Sequence, residues 1–293
     1  MIDNQPPKDR GKATNKRAGS NWSDLGQRLV SALILAAIVL TITYSGPLPF
    51  ALMIAFGSAI LCWEWAKMVR DTDFDELLVL HLIAVLVSCA LTATGQYIVA
   101  LLVLLVGPAI KFSISKDVEA ESLGISLLGV PYIGLPVISM IWLRSDPLFG
   151  WQAILYLFII IWTVDIFAYF SGRSFGGPKF APTISPKKTW SGFVGGVGAG
   201  AIAGIIYGVI LGETSLAKLG LISLAIGIVS QFGDLFESAF KRHYNIKDAS
   251  NLIPGHGGLF DRVDGLMFAA VAAALIALYF GSDEPGKSLL IWS

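Results

Sequence analysis

The chain has 293 residues, of which 21 are Lys or Arg and 21 are Asp or Glu, so charged residues make up only 14% and the formal net charge is zero. Apolar residues reach 55%, and glycine adds 31 more positions. A soluble domain runs near ~25% charged and could not hide this much apolar surface, which excludes a soluble globular enzyme, a disordered chain and a nucleic-acid-binding domain, and leaves a polytopic membrane protein.

Residues 1–25 are polar and carry a basic scatter (Lys8, Arg10, Lys12, Lys16, Arg17) with Pro6 and Pro7. They read as a disordered cytosolic tail; no short apolar core with a cleavage site follows, so a signal peptide is not expected. Nine apolar stretches then follow, near 27–44, 47–64, 76–94, 96–111, 122–143, 149–172, 191–211, 216–234 and 265–281. Most are long enough to span ~30 Å of hydrocarbon as helices. The expected fold is therefore all-α, with about nine transmembrane helices. If the N-terminus is cytosolic and nine helices alternate, 18 of the 21 Lys and Arg fall on the cytosolic side and 3 (Arg144, Lys218, Lys287) on the other. That asymmetry follows the positive-inside rule. Segment 122–143 is broken up by Gly129, Pro131, Gly134 and Pro136, which leaves its full crossing open. The domain expectation is the tail, an N-terminal group of helices over 26–148, and a C-terminal catalytic group over 149–293 with cytosolic site loops 171–190 and 235–264.

Cys62 and Cys89 both lie inside apolar runs and read as small core hydrophobes, too few for a disulfide scaffold or a zinc site. Stretch seven carries Gly192, Gly196, Gly200, Gly204 and Gly208 at four-residue intervals. One face of that helix is then a glycine ridge, suited to close packing within the bundle or across a dimer.

Ionisable groups inside a membrane are costly, so they point to function. Asp165 lies in stretch six, eight residues and about 12 Å before Arg173, with Tyr169 on the same face. The segment 171–190 contains Arg173, Lys179, Lys187 and Lys188 but no acid. Gly172, Gly176 and Gly177 allow close backbone approach, and Ser185 and Thr189 add donors, a composition suited to phosphate groups. It is not a P-loop, because Pro178 stands where the lysine is needed.

At the end of stretch eight, Asp234, Glu237, Ser238 and Lys241 share one helical face. Arg242, Lys247, Asp248, Asn251, His256, Gly257, Gly258, Asp261, Arg262 and Asp264 follow. Carboxylates repel phosphate on their own but attract it when they hold Mg²⁺, which prefers one or two carboxylates with substrate phosphates and water. Asp261 and Asp264, one turn apart, are placed to meet Asp234. A basic phosphate cradle and a carboxylate metal holder thus face the same side, with no nucleophile–base pair, which fits metal-assisted phosphoryl or nucleotidyl transfer.

Ser238–Asp264 reads SAFKRHYNIKDASNLIPGHGGLFDRVD. It resembles the signature S-x-x-K-R, K-D, P-G-H-G-G-x-x-D-R-x-D of the phosphatidate cytidylyltransferase (CDP-diacylglycerol synthase) family. The segments QFGDLFES from Gln231 and SPKKTW from Ser185, and Asp165 with Ala168-Tyr169 and Gly172-Arg173, are also similar to family segments. The resemblance is dense over roughly 160–270 and thin over 1–150. Ser191 departs from it, since many members have Glu there.

The resemblance implies transfer of the cytidylyl group of CTP to phosphatidate, giving CDP-diacylglycerol and diphosphate for phospholipid biosynthesis, at a cytosol-facing site in a bacterial-type plasma membrane. It implies Mg²⁺ on Asp234 and Asp261, with Glu237, Asp248 and Asp264 in support, and a second, monovalent cation such as K⁺. It also implies a homodimer. Lys187, Lys188, Lys241, Arg242 and Lys247 would neutralise phosphates; Lys241, Arg242, Lys247, Asp248 and His256 join the catalytic set. Asp165, Arg173, Ser185, Thr189, Ser238, Asn251, Gly257, Gly258 and Arg262 would bind substrate. Charge placement alone also admits a CTP-dependent lipid or polyprenol kinase. A polytopic transporter fits less well, because its ionisable groups would sit at the midplane.

Overall fold

A computed structural model describes residues 21–114, 120–250, 252, 257–281 and 283–292. The apolar stretches are helices: α1 (Asn21–Ser45), α2 (Pro47–Arg70), α3 (Glu76–Ala93), α4 (Tyr97–Ile114), α5 (Ala120–Arg144), α6 (Gly150–Phe175), α7 (Trp190–Leu211), α8 (Leu216–His243) and α9 (Phe260–Phe280). A short tenth helix, α10 (Pro285–Leu290), had no counterpart in the sequence reading. Among the described residues, seven helices (α2, α3 and α5–α9) are long and apolar enough to cross a membrane; the apolar parts of α1 and α4 are shorter. The protein is an all-α polytopic membrane protein.

Three boundaries differ from expectation. Residues 21–25, read as disordered, already form the start of α1, while 1–20 lie outside the described residues. The stretch 235–264 is not one loop: α8 runs on to His243 and α9 starts at Phe260. Its polar residues had suggested a loop, but their i, i+3, i+4, i+7 spacing keeps one helical face inward. Residues 171–175 continue α6, and the rest of that segment holds two strands, β1 (Lys179–Ala181) and β2 (Ser185–Thr189), paired antiparallel with Lys179 opposite Thr189. Pro178, Pro182 and Pro186 disfavour helix here, and an extended hairpin satisfies the backbone instead.

Helix α5 is continuous despite Pro131 and Pro136. Trp65 Nε1 donates to the Ser126 carbonyl (3.0 Å), which ties α2 to α5. Gly129 makes room for the same indole.

Two apolar cores build the bundle. One joins α2–α5 and takes in Phe260 and Met267 of α9; the other centres on α6, α7, α8 and α9. The glycine ridge of α7 packs inside the bundle. A Cβ at Gly196 would lie 2.6 Å from the Val164 carbonyl oxygen, and one at Gly200 2.6 Å from Val164 Cγ2, so α6 and α7 touch nearly backbone to backbone. Cys62 and Cys89 are buried free thiols.

At the end of the bundle away from β1–β2, the C-terminal segment is strapped down. Asp146 accepts the Lys287 N–H (3.0 Å), and Glu213 accepts the N–H groups of Ser215 (2.7 Å) and Trp292 (3.1 Å). Lys218 Nζ lies 3.8 Å from the Phe280 ring centre and 4.3 Å from that of Trp292. Burial alone would raise the Glu213 carboxyl, but the backbone hydrogen bonds from Ser215 and Trp292 outweigh it and hold the group below its ordinary value.

Candidate active site

The α6–α7 hairpin and the facing ends of α6, α8 and α9 enclose a cavity of about 860 Å³. That is large enough for a nucleotide-sized ligand. Its walls differ in sign. The hairpin side carries Lys179, Lys187 and Lys188, joined by Arg173 from the end of α6. Helices α8 and α9 supply Asp234, Glu237, Asp261 and Asp264, and α6 supplies Asp165.

The inward face of α8 follows from helical geometry. Asp234, Glu237, Ser238 and Lys241 line the cavity together, as their spacing requires. Lys188 Nζ reaches across from the hairpin to Asp234 Oδ2 at 2.5 Å, which ties the two walls. Lys188 also lies 3.4 Å from Gln231 Oε1, and Gln231 Nε2 donates to Asp165 Oδ1 at 3.4 Å. Asp165 is thus joined to the site through an amide. Ser238 Oγ is 3.4 Å from Asp234 Oδ1.

Lys241 bridges α8 to α9. Its ammonium lies 2.8 Å from Glu237 Oε1 and 2.5 Å from Asp261 Oδ1. Asp261 Oδ2 is occupied separately, by the N–H groups of Gly258 (2.8 Å) and Ala249 (3.2 Å). One carboxylate oxygen therefore anchors to backbone while the other faces the cavity. Asp264 Oδ1 accepts the Gly265 N–H (2.8 Å), and its carboxyl is within electrostatic reach of Asp234 and Glu237. Arg262 completes this part of the lining. Among the described residues no three acids converge closely enough to hold a metal unaided.

Near the cavity mouth Arg173 donates to the Tyr169 hydroxyl at 2.7 Å. Thr189 lines the cavity and also caps α7, accepting the Gly192 N–H at 3.2 Å. Ser191 lies 3.1 Å from Thr189 Oγ1 and donates to the Gly176 carbonyl, so this neutral hydroxyl fastens the glycine turn after α6.

Several expected residues lie elsewhere. Arg242 follows Lys241 by one residue, about 100° round the helix, and is exposed outside the cavity wall. Lys247 and Asp248 are exposed beyond the end of α8 and do not line the cavity. Ser185 is used in the hairpin, opposite Ala181. Gly257 and Gly258 serve through their backbone: a Cβ at Gly257 would lie 2.7 Å from Asp261 Oδ2. Asn251 and His256 lie outside the described residues.

One residue beside the site was missed. Glu64 of α2, fully buried, contacts Ser250, Leu259 and Phe260 beneath the site. Its only sequence signal was an acid inside an apolar stretch, because its partners are nearly two hundred residues away.

A profile of the cytidylyltransferase family matches residues 26–280. The chain belongs to this family. Among similar proteins, the phosphatidate cytidylyltransferase of Brucella abortus biovar 1 (strain 9-941) is 37% identical over 271 residues, covering 89% of this chain and 96% of that protein. Those of Haemophilus influenzae and Bacillus subtilis (strain 168) are each 31% identical, covering 84% of this chain and 96% and 94% of theirs. The family match extends over α2–α5, where the motif resemblance had been thin, so the N-terminal helices are part of the family fold.

Proposed function

We propose that this member of the cytidylyltransferase family is a phosphatidate cytidylyltransferase that converts CTP and phosphatidate to CDP-diacylglycerol and diphosphate. The observation that carries the reading is the single cavity with a basic hairpin wall and a carboxylate wall, joined by the Lys188–Asp234 pair. The names of the three relatives above support it.

In this reading a phosphate oxygen of phosphatidate attacks the α-phosphorus of CTP in line, forming one P–O bond as the bond to the diphosphate oxygen breaks. Lys179, Lys187, Lys188 and Arg173 neutralise the phosphates from one side and hold the leaving diphosphate. Lys241 keeps Glu237 and Asp261 in place between α8 and α9. The substrate is its own nucleophile, so no serine or cysteine nucleophile is needed.

The donor set suits Mg²⁺. Asp234, Glu237, Asp261 and Asp264 offer only hard oxygen ligands on one wall. Mg²⁺ is commonly held by one or two carboxylates, with substrate phosphates and water completing its shell. Asp234 and Asp261 would hold the ion. When bound, the ion would neutralise charge developing on the phosphates. A monovalent cation such as K⁺ is part of the same proposal.

The 18-to-3 distribution of basic residues supports a cytosolic N-terminus, a cavity open to the cytosol and nine crossings of a plasma membrane. Homodimerisation completes the reading.

The test is incubation of purified protein with phosphatidate, Mg²⁺ and CTP labelled at the α- or the γ-phosphate, with and without EDTA. Metal-dependent transfer of the α label alone into chloroform-extractable lipid is expected. Transfer of the γ label would instead show a lipid kinase, and transfer of neither label would overturn both enzymatic readings.

A further inference from the structure

Helix α9 carries Asp261 in its first turn, yet its N-cap position is Leu259, whose side chain accepts nothing. The first N–H groups of a helix need acceptors from somewhere. Here they come from α2. Glu64 Oε1 accepts the Leu259 N–H at 2.8 Å and Oε2 the Phe260 N–H at 2.8 Å. Oε1 also accepts the Ser250 hydroxyl at 2.5 Å. Three donors and the positive end of the α9 macrodipole offset the burial of this carboxylate.

Ser250 and Leu259 lie on either side of the segment that holds the Pro-Gly-His-Gly-Gly motif, so one side chain clamps both ends of it. Gly258 fits the clamp closely: a Cβ there would lie 2.5 Å from Glu64 Oε1. From this position the Gly258 N–H reaches Asp261 Oδ2, as does that of Ala249 beside Ser250. The donors that orient Asp261 are thus adjacent to the groups that Glu64 holds.

We propose that Glu64 is a positioning residue for the transfer reaction: by clamping Ser250, Leu259 and Phe260 it sets the Gly258 and Ala249 N–H groups that lock Asp261 with Oδ1 turned into the cavity. This rests on placing the transfer in that cavity. It makes α2, in the half of the chain without the family motifs, part of the catalytic apparatus.

The test compares full-length wild type, Glu64→Gln and, as a charge control, the exposed Glu76→Gln, all in detergent. Glu64→Gln puts an amide N–H against a backbone N–H and removes an acceptor. Its peptide covering 244–262 should exchange amide hydrogen at least about tenfold faster, with the α6–α7 peptides unchanged. Its kcat should fall roughly ten- to a hundredfold while KM for CTP stays within about twofold. Ser250→Ala, which removes one donor and leaves the cap of α9, should shift both readouts the same way by less, and decides the matter if Glu64→Gln does not fold. Unchanged exchange over 244–262 would overturn the clamp. Faster exchange throughout the protein, with kcat per folded molecule preserved, would reduce Glu64 to a general stabiliser. A wild type that transfers nothing would sink the functional reading and with it the positioning role, while the exchange arm would still report whether Glu64 holds the segment.

Discussion

The ammonium of Lys241 lies 2.5 Å from Asp261 Oδ1 and 2.8 Å from Glu237 Oε1, so one lysine of α8 holds a carboxylate of its own helix and one of α9. All three side chains are largely withdrawn from solvent, with exposures of 12%, 10% and 3% for Lys241, Asp261 and Glu237. Removing the cation leaves two buried carboxylates facing each other. Lys241→Met should lower stability by about 3–5 kcal/mol and abolish measurable transfer. A thermal melt in detergent checks the first; a melting temperature within a degree or two of wild type would show that the pair contributes nothing to the fold.

Asp261→Asn should give an inserted, folded protein with little transfer activity, because the cavity loses the charge that its metal and phosphate chemistry needs. Activity as a function of Mg²⁺ is the measurement. Near-normal turnover at saturating Mg²⁺ would remove Asp261 from the metal assignment.

Lys188 and Asp234 are more open, at 19% and 32% exposure, so their pair should add less than about 1 kcal/mol to stability. Lys188→Ala should therefore melt close to wild type yet lose at least about tenfold in kcat/KM, since it removes a cation from the phosphate wall. A large drop in melting temperature with intact kinetics would recast the pair as structural.

The α7 ridge makes a position-specific prediction. Gly196→Ala forces a methyl toward the Val164 carbonyl and should cost about 1–3 kcal/mol, whereas Gly198→Ala meets nothing within 4 Å and should be tolerated. Gly200→Leu should reduce folded yield. Monodisperse yield from size-exclusion chromatography ranks the three, and equal yields would refute the packing role.

Glu213 provides a pH-dependent latch. Its carboxyl is depressed in the folded protein, so its contribution is complete above the ordinary Glu value and is lost as pH falls through the lower folded value. Melting curves between pH 6 and pH 3 (a span set by the roughly 4.3 pKa of a free Glu) should fall less steeply for Glu213→Gln than for wild type. Parallel curves would exclude the latch.

Sequence alone determined the membrane class, the helices and most of the cavity wall. Apolar runs long enough to cross hydrocarbon have few alternatives to helix, and carboxylates and cations are costly there unless used. Asp165, Asp234, Glu237, Lys241, Asp261 and Asp264 were legible for that reason, and five of them shared a helical face or lay one turn apart. The hairpin was not legible, because prolines that exclude helix do not say what a strand will pair with. Nor were the outward turn of Arg242, the exposure of Lys247 and Asp248, or the fastening role of Ser191. Glu64 is the clearest case. Its partners are Ser250, Leu259 and Phe260, and no local pattern links residues that far apart. Only the packing of α2 beneath the start of α9 brings that carboxylate to a helix end lacking a cap of its own, because a buried N–H group must find an acceptor wherever the fold can supply one.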